Sequence, residues 1–303
     1  MNVLFTGANG FLGSHVLRTL VKKKYKICIL IRESSDLSRI DDLLDSLDIC
    51  FYKDLSKLKF KAQLVIHFAW QGVSSNDRDN FEIQIQNLTI TQKILDYCKT
   101  NEIDRIIAIG SQAEYGFYNK VVDEKYSEDF KTSSYGTIKN LTRFFIEKFC
   151  NQNNIKWTWL RLFSFYGPNE DPNWFIPWLI SNIKTEKKIN MTEGEQRYAY
   201  MYVDDFSSLF IKIIESPKTY NNIYNICSEN DMSLREITFL LKDLIKPNSF
   251  NINFGAIPYR KDQIMLLKGS VSKLLNHLDL TTLNESSMKK NLTFILKELK
   301  NDI

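Results

Sequence analysis

Three side chains near the middle of the chain have types and spacing suited to proton transfer. Tyr135 and Lys139 stand four residues apart in SSYGTIKN, so a helix would place both on one face. An ammonium in that position favours the tyrosinate and brings a phenol of ordinary pKa about 10 toward working pH. Ser111 follows the apolar run IIAIG and is either a working hydroxyl or the cap of a strand. The pattern predicts a proton donor with its tuning group, although an exposed helix pair gives the same spacing.

A glycine-rich turn lies at the start of the sequence, in VLFTGANGFLGSHVL. Gly7, Gly10 and Gly13 fall between a predicted strand and a predicted helix. Glycine lets the backbone approach a pyrophosphate closely, and the first turn of the helix offers free N–H groups and a positive dipole end. We therefore predict a dinucleotide site; the alternative is a tight turn that binds no ligand.

The second predicted strand, KICILIR, ends at Arg32 and is followed by Ser34 and Ser35. A site for NAD usually has an acidic side chain here, which binds the ribose diol. An arginine with neighbouring hydroxyls suits the 2′-phosphate of NADP instead. A solvated arginine at a strand end is the alternative.

Short apolar runs alternate with longer segments of helical period, which predicts an α/β fold with a doubly wound parallel sheet of the Rossmann type. The predicted strands are 2–5, 26–31, 64–68, 105–109 and 157–162. The predicted helices are 78–99, one beginning near Tyr135, 174–184, 203–215 and 234–244. All six prolines lie after residue 166, which indicates a second, smaller and mixed lobe. We predict a dinucleotide-binding domain at 1–166, to which part of 200–230 returns, and a substrate-binding lobe at 167–303.

Charge and cysteine usage argue against several classes of protein. The formal net charge is only +4 and the signs are interspersed, so nucleic acid is not an expected partner. The five cysteines are odd in number and far apart, as reduced packing residues are. With three histidines and no CxxC or HxxxH spacing, we expect no metal site. Without an apolar stretch near twenty residues, we expect a soluble cytoplasmic protein and no membrane partner.

The motifs together resemble those of the extended short-chain dehydrogenase/reductase family, the NAD(P)-dependent epimerases and dehydratases. This family includes nucleotide-sugar epimerases, dehydratases and 4-ketoreductases, and the resemblance covers nearly the whole chain. It rests on TGANGFLG at 6–13, HFAW at 67–70, GSQAEYG at 110–116, YGTIK at 135–139, RLFSFYGP at 161–168, YVDD at 202–205 and FGAIPYRKDQIM at 254–265.

The resemblance implies roles for the matching residues. Ser111, Tyr135 and Lys139 fall on the catalytic triad: the tyrosine exchanges a proton with a sugar oxygen, the serine hydrogen-bonds that oxygen, and the lysine lowers the tyrosine pKa and holds the nicotinamide ribose. The expected cofactor-binding residues are Gly7, Gly10, Phe11, Leu12, Gly13, Arg32, Ser34, Asp54, Leu55, Phe68, Ala69, Asn87, Tyr135, Lys139 and Phe163. The expected substrate-binding residues are Trp70, Ser111, Gln112, Ser164, Trp174, Arg197, Tyr198 and Arg260. We interpret His67 as a packed strand residue.

Three positions depart from the family pattern. Tyr198 stands where the family usually has a phosphate-binding arginine. Either Arg197 replaces that arginine, or Tyr198 contacts the nucleotide and Arg260 carries more of the phosphate charge. Ser164 stands where asparagine is more frequent. Glu114 stands where the family usually has an apolar residue, and we expect it to orient the substrate rather than the loop.

Gln112 and Ala113 reduce the number of reactions that the resemblance allows. In the family's 4,6-dehydratases, aspartate and glutamate follow the serine or threonine, and 3,5-epimerising reductases need a thiol; this sequence supplies neither. The reactions that remain change a single carbon: a reversible 4-epimerisation or a one-way reduction of a 4-keto sugar. Together with Arg32, the motifs resemble those of 4-ketoreductases of the abequose-synthase type. This implies NADPH-dependent reduction of the 4-keto group of a nucleotide-linked 4-keto-6-deoxy sugar, in the biosynthesis of cell-surface glycans such as O-antigen or capsule.

Two alternatives stay open: an NAD-dependent nucleotide-sugar 4-epimerase, and a catalytically silent NADP(H)-binding regulatory protein. The expected ligands are NADP(H), with NAD(H) as the alternative, and a nucleotide diphosphate sugar. The base (CDP, GDP, dTDP or UDP) and the configuration at C4 are not determined by these motifs. The resemblance also implies a homodimer, formed through the helices at 78–99 and 135–150.

Overall fold

The protein is built around a parallel β-sheet flanked by helices. The computed structural model describes residues 1–74, 76–126, 133–283 and 286–301. The strands are β1 (Asn2–Thr6), β2 (Lys26–Ile31), β3 (Asp48–Phe51), β4 (Leu64–His67), β5 (Arg105–Ser111), β6 (Lys156–Leu162), β7 (Ser164–Tyr166), β8 (Ile189–Asn190), β9 (Arg197–Tyr198), β10 (Tyr200–Tyr202), β11 (Asn222–Ile226), β12 (Met232–Ser233), β13 (Ile252–Asn253) and β14 (Leu266–Leu267). The helices are α1 (Phe11–Lys22), α2 (Phe81–Thr100), α3 (Ser134–Gln152), α4 (Phe175–Lys184), α5 (Val203–Glu215), α6 (Leu234–Ile245), α7 (Ser272–Leu278) and α8 (Met288–Asn301).

Seven strands form the central sheet in the order β3-β2-β1-β4-β5-β6-β11, and all neighbours pair in parallel. Its inner strands are buried on both faces, which explains why they appear in the sequence as continuous apolar runs. Chain order reverses between β1 and β4, where a doubly wound sheet opens a crevice at the carboxyl ends of its strands. The predicted α/β doubly wound fold is confirmed.

Shorter strands form three small sheets in the second half of the chain, β10-β7, β12-β9-β14 and β13-β8. Helices α4, α6 and α8 share a hydrophobic core with these strands. β11 instead pairs in parallel with β6, so residues 222–226 lie in the central sheet. Helix α5 packs against α1. The exact domain boundaries at 166 and 167 stay a prediction.

Glycine is required where the first turn passes close to other backbone. Gly7 has φ of +74°, and a Cβ there would lie 2.5 Å from the backbone nitrogen of Ala69. A Cβ on Gly13 would lie 2.0 Å from the carbonyl oxygen of Gly7. The turn after β1 therefore packs directly against the segment after β4, at the point where the sheet reverses its order.

Three sequence expectations concern features away from this crevice. All five cysteines are buried thiols, as packing residues would be. Within the described ranges, no helix has the length and apolar character needed to cross a membrane. The same residues contain no cluster of histidine, cysteine, aspartate or glutamate that could hold a metal ion.

Candidate active site

A cavity of about 1280 Å³ runs along the carboxyl edge of the central sheet and reaches the second half of the chain. Its first end is lined by the predicted nucleotide turn and the end of β2, namely Gly7, Gly10, Phe11, Leu12, Gly13, Arg32 and Ser34. Its middle is lined by Phe68, Ala69, Trp70, Ser111, Gln112, Phe163 and Ser164. Its far end is lined by Trp174, Tyr198 and Arg260. One continuous space therefore joins most of the residues that the sequence singled out.

The first end of the cavity fits a phosphate. Gly10 caps α1 and has no side chain with which to satisfy the N–H groups of the first helical turn, and Phe11 to Gly13 face the cavity. Such N–H groups and the helix dipole favour an anion. Asp54 and Leu55, which were predicted to bind the cofactor, are not among the residues that line this cavity. Leu55 is buried in the core and Asp54 lies beside it on a short 3₁₀ helix, while Tyr52 of the same helix lines the cavity.

Ser111 ends a strand and also lines the cavity. It is the last residue of β5 and the N-cap of a 3₁₀ turn, where its hydroxyl oxygen accepts from the Ala113 N–H at 3.2 Å. The same hydroxyl hydrogen-bonds with the phenol of Tyr135, which lies in the first turn of α3. Ser133 caps that helix, because its hydroxyl accepts from the Gly136 N–H at 3.2 Å. The strand end and the helix start thus bring the buried Tyr135 phenol against the Ser111 hydroxyl, and Ser111 lines the cavity.

The pKa of Tyr135 differs from the sequence expectation. Burial raises it, and this outweighs the hydrogen bond with Ser111 and the positive charge of Arg78, which both lower it. Arg78 lies over the tyrosine ring, with its guanidinium carbon 5.2 Å from the centroid. The expected tuning by Lys139 is not what dominates in this structure, since its ammonium lies 5.9 Å from the ring centroid. The phenol is therefore held protonated, as a proton donor must be before it reacts.

Lys139 lies in an enclosed position beneath the cavity. Its ammonium donates to the carbonyl oxygen of Ile109 at 2.7 Å and sits 3.6 Å from the centroid of the Trp70 ring. Burial lowers the pKa of Lys139 to about 7, although the charge of Glu114 acts to raise it. The charge of this group thus changes close to neutral pH. It sits one helical turn from Tyr135, as the four-residue spacing predicted.

Helix α2 supports the segment that carries Trp70. Asn87 is buried, and its side-chain oxygen accepts from the Gln71 N–H at 2.8 Å. Gln84 accepts from the Trp70 indole N–H at 2.9 Å. His67 is buried and bonded to Thr6 at 2.8 Å, and burial lowers its pKa to about 3, as for a neutral packed residue. Asn87 therefore acts on the cavity through the backbone after β4.

The far end of the cavity distinguishes between the two predicted ways of binding the diphosphate, through Arg197 or through Tyr198 and Arg260. Tyr198 lines the cavity, and its hydroxyl accepts from the Gln263 side chain at 3.1 Å. Arg197 is instead engaged elsewhere: its guanidinium donates to Asp231 at 2.5 Å and to Glu236 at 3.1 Å. Among the predicted substrate residues, Arg260 is a cation that lines this end. The structure thus brings Tyr198 and Arg260 to the cavity and leaves Arg197 paired with carboxylates.

The cavity residues that the sequence prediction did not include comprise Arg78, Arg39 and Glu170. Arg78 lies between the Tyr135 and Trp174 rings, 5.7 Å from the second centroid. Arg39 lines the first end beside Arg32. Glu170 lines the cavity with one carboxyl oxygen buried and, in the described part of the chain, not hydrogen-bonded; burial raises its pKa to about 8. All three lie in loops outside the recognised motifs, where spacing carries no signal.

The expectation for Glu114 is wrong. Its side chain is fully buried, so it cannot touch a substrate in the cavity. It accepts instead from the Ser111 N–H at 2.7 Å, from the Trp159 indole N–H at 3.0 Å and from the Arg161 guanidinium at 2.8 Å. Glu114 orients the loop rather than the substrate.

A dinucleotide-type turn and a serine–tyrosine–lysine group on a doubly wound sheet define an NAD(P)-dependent enzyme of the oxidoreductase or epimerase class. The chain belongs to the NAD dependent epimerase/dehydratase family, whose model matches residues 3–227. It is 24% identical over 269 residues to the CDP-abequose synthase of Yersinia pseudotuberculosis, which covers 88% of this chain and 91% of that protein. The predicted family is confirmed.

Two solved structures share the fold over their whole length. The UDP-glucose 4-epimerase of Thermotoga maritima, with UDP-glucose, covers 100% of this chain and 99% of its own at a TM-score of 0.85 and 22% identity. The UDP-glucuronic acid 4-epimerase of Bacillus cereus, with UDP-glucuronic acid and NAD, covers 99% of this chain and 100% of its own at a TM-score of 0.85 and 24% identity. At this level of identity, the likeness concerns the fold.

The variant Lys139→Met, which lacks the ammonium, tests whether burial lowers the pKa of Lys139. A lysine whose pKa falls from 10.5 to about 7 on folding binds its proton more weakly in the folded state. Its contribution to the free energy of unfolding therefore increases with pH across that interval and is constant below it. We expect the wild type to gain stability relative to Lys139→Met as pH rises from about 7 to about 10. Urea unfolding of both proteins across this range measures the difference, and a difference independent of pH would contradict the assignment.

Proposed function

We propose that the protein reduces the 4-keto group of a nucleotide-linked 4-keto-6-deoxy sugar with NADPH. The observation that carries this proposal is the hydrogen bond between the Tyr135 phenol and the Ser111 hydroxyl, with Ser111 lining the cavity beside Gln112 and Ala113. Gln112 is held by the Tyr118 hydroxyl, which donates to its side-chain oxygen at 2.9 Å. Since Glu114 is buried behind them, the turn at 112–115 presents no carboxylate to the cavity for removal of a proton from a neighbouring carbon.

The reaction joins a hydride and a proton to one carbonyl group. NADPH, when bound, would supply the hydride for C4. The Tyr135 phenol would give its proton to O4, which leaves an alcohol and a Tyr135 phenolate that takes up a proton from solvent before the next turnover. The Ser111 hydroxyl donates a hydrogen bond to the same oxygen as negative charge develops on it. The Tyr135 phenol is protonated at neutral pH, since its ordinary pKa is about 10 and burial raises it further, so it can serve as the proton donor. A 4-epimerase must begin in the opposite way, with removal of a proton from a sugar hydroxyl.

The CDP-abequose synthase relative supports a nucleotide sugar as the substrate class. The cavity suits such a ligand in charge, because Arg260 and Arg78 line its far end. Aromatic faces for a base or sugar are present there as well, at Trp174, Tyr198 and Tyr200. We place the nucleotide sugar between this end and the Ser111–Tyr135 pair, with Glu170 available to bind one of its N–H or O–H groups.

Absorbance of reduced nicotinamide tests the reaction. The wild type should consume NADPH when a freshly made nucleotide-linked 4-keto-6-deoxy sugar is added, and Tyr135→Phe should lower kcat about 10²–10⁴-fold because it removes the proton donor. NADPH affinity of the variant, measured by calorimetry, should stay near that of the wild type. Interconversion of UDP-glucose and UDP-galactose without added cofactor would make the protein a 4-epimerase. Cofactor binding without turnover of any ketosugar would make it a regulatory binder.

We also propose that the cofactor is NADP(H) rather than NAD(H). Arg32 and Arg39 both line the first end of the cavity, together with Ser34 and Ser35. The turn that follows β2 is closed by two hydrogen bonds, from the Arg32 N–H to the Ser35 hydroxyl at 3.1 Å and from the Ser35 N–H to the Arg32 carbonyl at 3.0 Å. Two guanidinium groups at this end suit the two charges of a 2′-phosphate.

Substitution of Arg32 tests the cofactor preference. Hydrogen bonds to charged groups contribute about 1.5–3 kcal/mol, so Arg32→Ala should weaken NADPH binding about 10- to 100-fold and leave NADH binding nearly unchanged. Lys53→Ala is the matched control, because the Lys53 ammonium pairs with Glu33 on the surface. Calorimetric titration with both cofactors measures the two effects. An equal loss for both cofactors, or tighter NADH binding by the wild type, would assign the site to NAD.

A homodimer is the third proposal. Helices α2 and α3 pack together and expose large apolar side chains that a monomer would leave in water, namely Phe81, Ile85, Leu141, Phe144 and Phe145. Phe144 and Phe145 are 52% and 51% exposed. A second copy of the same two helices, related by a two-fold axis, would cover them.

Light scattering after gel filtration tests the dimer. The wild type should have twice the mass of one chain, and Phe145→Glu should run as a monomer because it places a charge in the apolar interface. Phe239→Glu is the matched control, since Phe239 is similarly exposed, at 42%, on α6. A monomeric wild type would remove the proposal, and so would dissociation by both variants.

A further inference from the structure

Glu114 is a buried carboxylate directly behind the proposed catalytic groups. We propose that Glu114 is a positioning residue: it fixes the backbone of Ser111 and places its negative charge beside the end of β5, to which Lys139 is bound. This inference rests on the proposed function in taking Ser111, Tyr135 and Lys139 as the catalytic group. It adds a residue that no ligand contacts and that the family pattern does not include.

The hydrogen bonds of Glu114 define its position. One carboxyl oxygen accepts from the Ser111 N–H at 2.7 Å and from the Trp159 indole at 3.0 Å. The other accepts from the Arg161 guanidinium at 2.8 Å and from the same indole at 3.1 Å. Both oxygens therefore accept hydrogen bonds, from the Arg161 guanidinium, the Trp159 indole and the Ser111 N–H. The carboxylate ties the end of β5 to the neighbouring strand β6.

Space for this carboxylate is created by Gly110. A Cβ at this position would lie 2.3 Å from a Glu114 oxygen and 2.2 Å from the Trp159 indole nitrogen. Arg161, whose side chain is fully buried, lies over the Tyr115 ring, 4.3 Å from its centroid. Burial acts against the charge of Arg161, but Glu114 and Tyr115 raise its pKa above the usual value. Glycine, glutamate, tryptophan and arginine thus form one buried unit.

Glu114 and Lys139 bind neighbouring positions at the end of β5. The lysine donates to the Ile109 carbonyl oxygen, and the carboxylate accepts from the Ser111 N–H two residues further on. The titratable and charged groups around this lysine are Tyr135 on the same helix, His67 on β4, Glu114 after β5 and Arg161 on β6, with Arg78 beyond the tyrosine ring. His67 is neutral near pH 7, because burial lowers its pKa to about 3. Burial also lowers the pKa of Lys139, and the charge acting against that shift comes from Glu114. Without the carboxylate, Lys139 would lose its proton at a lower pH.

Substitution of Glu114 by glutamine tests the charge while keeping the shape. Wild type and Glu114→Gln are compared by the pH profile of kcat/KM from about pH 6 to about pH 10, and we expect the alkaline limb of the variant to lie about one pH unit or more lower. Urea unfolding of the same proteins without cofactor or substrate gives a second readout. In this experiment, each protein is compared with the same protein carrying Lys139→Met, and the difference in unfolding free energy is followed as pH rises. We expect this difference to begin increasing at a lower pH in Glu114→Gln than in the wild type.

A second variant guards against loss of folding. Glu114→Gln leaves the buried charge of Arg161 without its carboxylate, so the double variant Glu114→Gln, Arg161→Met removes both charges together. We expect its alkaline limb also to lie below that of the wild type. Glu114→Asp keeps the charge and should keep the profile. Tyr115→Phe is the matched control: it removes a buried hydroxyl that donates to Asn225 at 2.7 Å in the same turn, with no change in the charges around Lys139.

Two results would overturn the inference. The first is an equal loss of activity at every pH in Glu114→Gln and in the double variant, since a purely structural role predicts no shift of the limb. The second is an unfolding profile in which the contribution of Lys139 is unchanged by Glu114→Gln. The unfolding readout needs neither cofactor nor substrate. A protein that reduces no ketosugar would therefore refute the proposed function and still allow this test.

Discussion

The close contact between the turn after β1 and the segment after β4 is the constraint on which the rest of the site depends. Gly7 and Ala69 approach so nearly that a Cβ on the glycine would overlap the backbone. This contact sits where the order of the parallel strands reverses, so both segments end at the same edge of the sheet. β4 ends opposite Ala108, whereas β5 continues to Ser111. Ser111 therefore lies three residues beyond the position where β4 ends, and its hydroxyl meets Tyr135 of α3.

Burial then sets the chemistry of the groups that this geometry brings together. The Tyr135 phenol is held in its protonated form and the Lys139 ammonium is made easier to deprotonate, because both are withdrawn from water. Placing a lysine in such a position costs stability, and the buried carboxylate of Glu114 offsets part of that cost. Cations are distributed along the same cavity, with Arg32 near one end and Arg260 near the other. A long anionic ligand matches that distribution better than a neutral one.

The fold was largely predictable because its inner strands are buried on both faces. The five predicted strands all occur in the central sheet, with ends displaced by one or two residues, and the helix at 203–215 has the predicted bounds. β3 and β11 were missed because they lie at the two edges of the sheet, where a short strand keeps polar residues. Side-chain directions were less predictable. Arg197 and Tyr198 are neighbours on one strand and so point to opposite faces, and only the tyrosine meets the cavity.

By itself, the sequence determined the sheet, the nucleotide turn and the serine–tyrosine–lysine group, because these depend on residue type and on spacing within one element. Only the tertiary structure decided which side chains from distant parts of the sequence surround the serine, tyrosine and lysine. Arg78 reaches the Tyr135 ring from a loop of another crossover. Glu114, expected at the substrate, turns inward because the Trp159 indole and the Arg161 guanidinium of the adjacent strand donate to it in a fully buried position. Such partners lie 45 and more residues away in the chain, and only the pairing of β5 with β6 brings them within hydrogen-bonding distance.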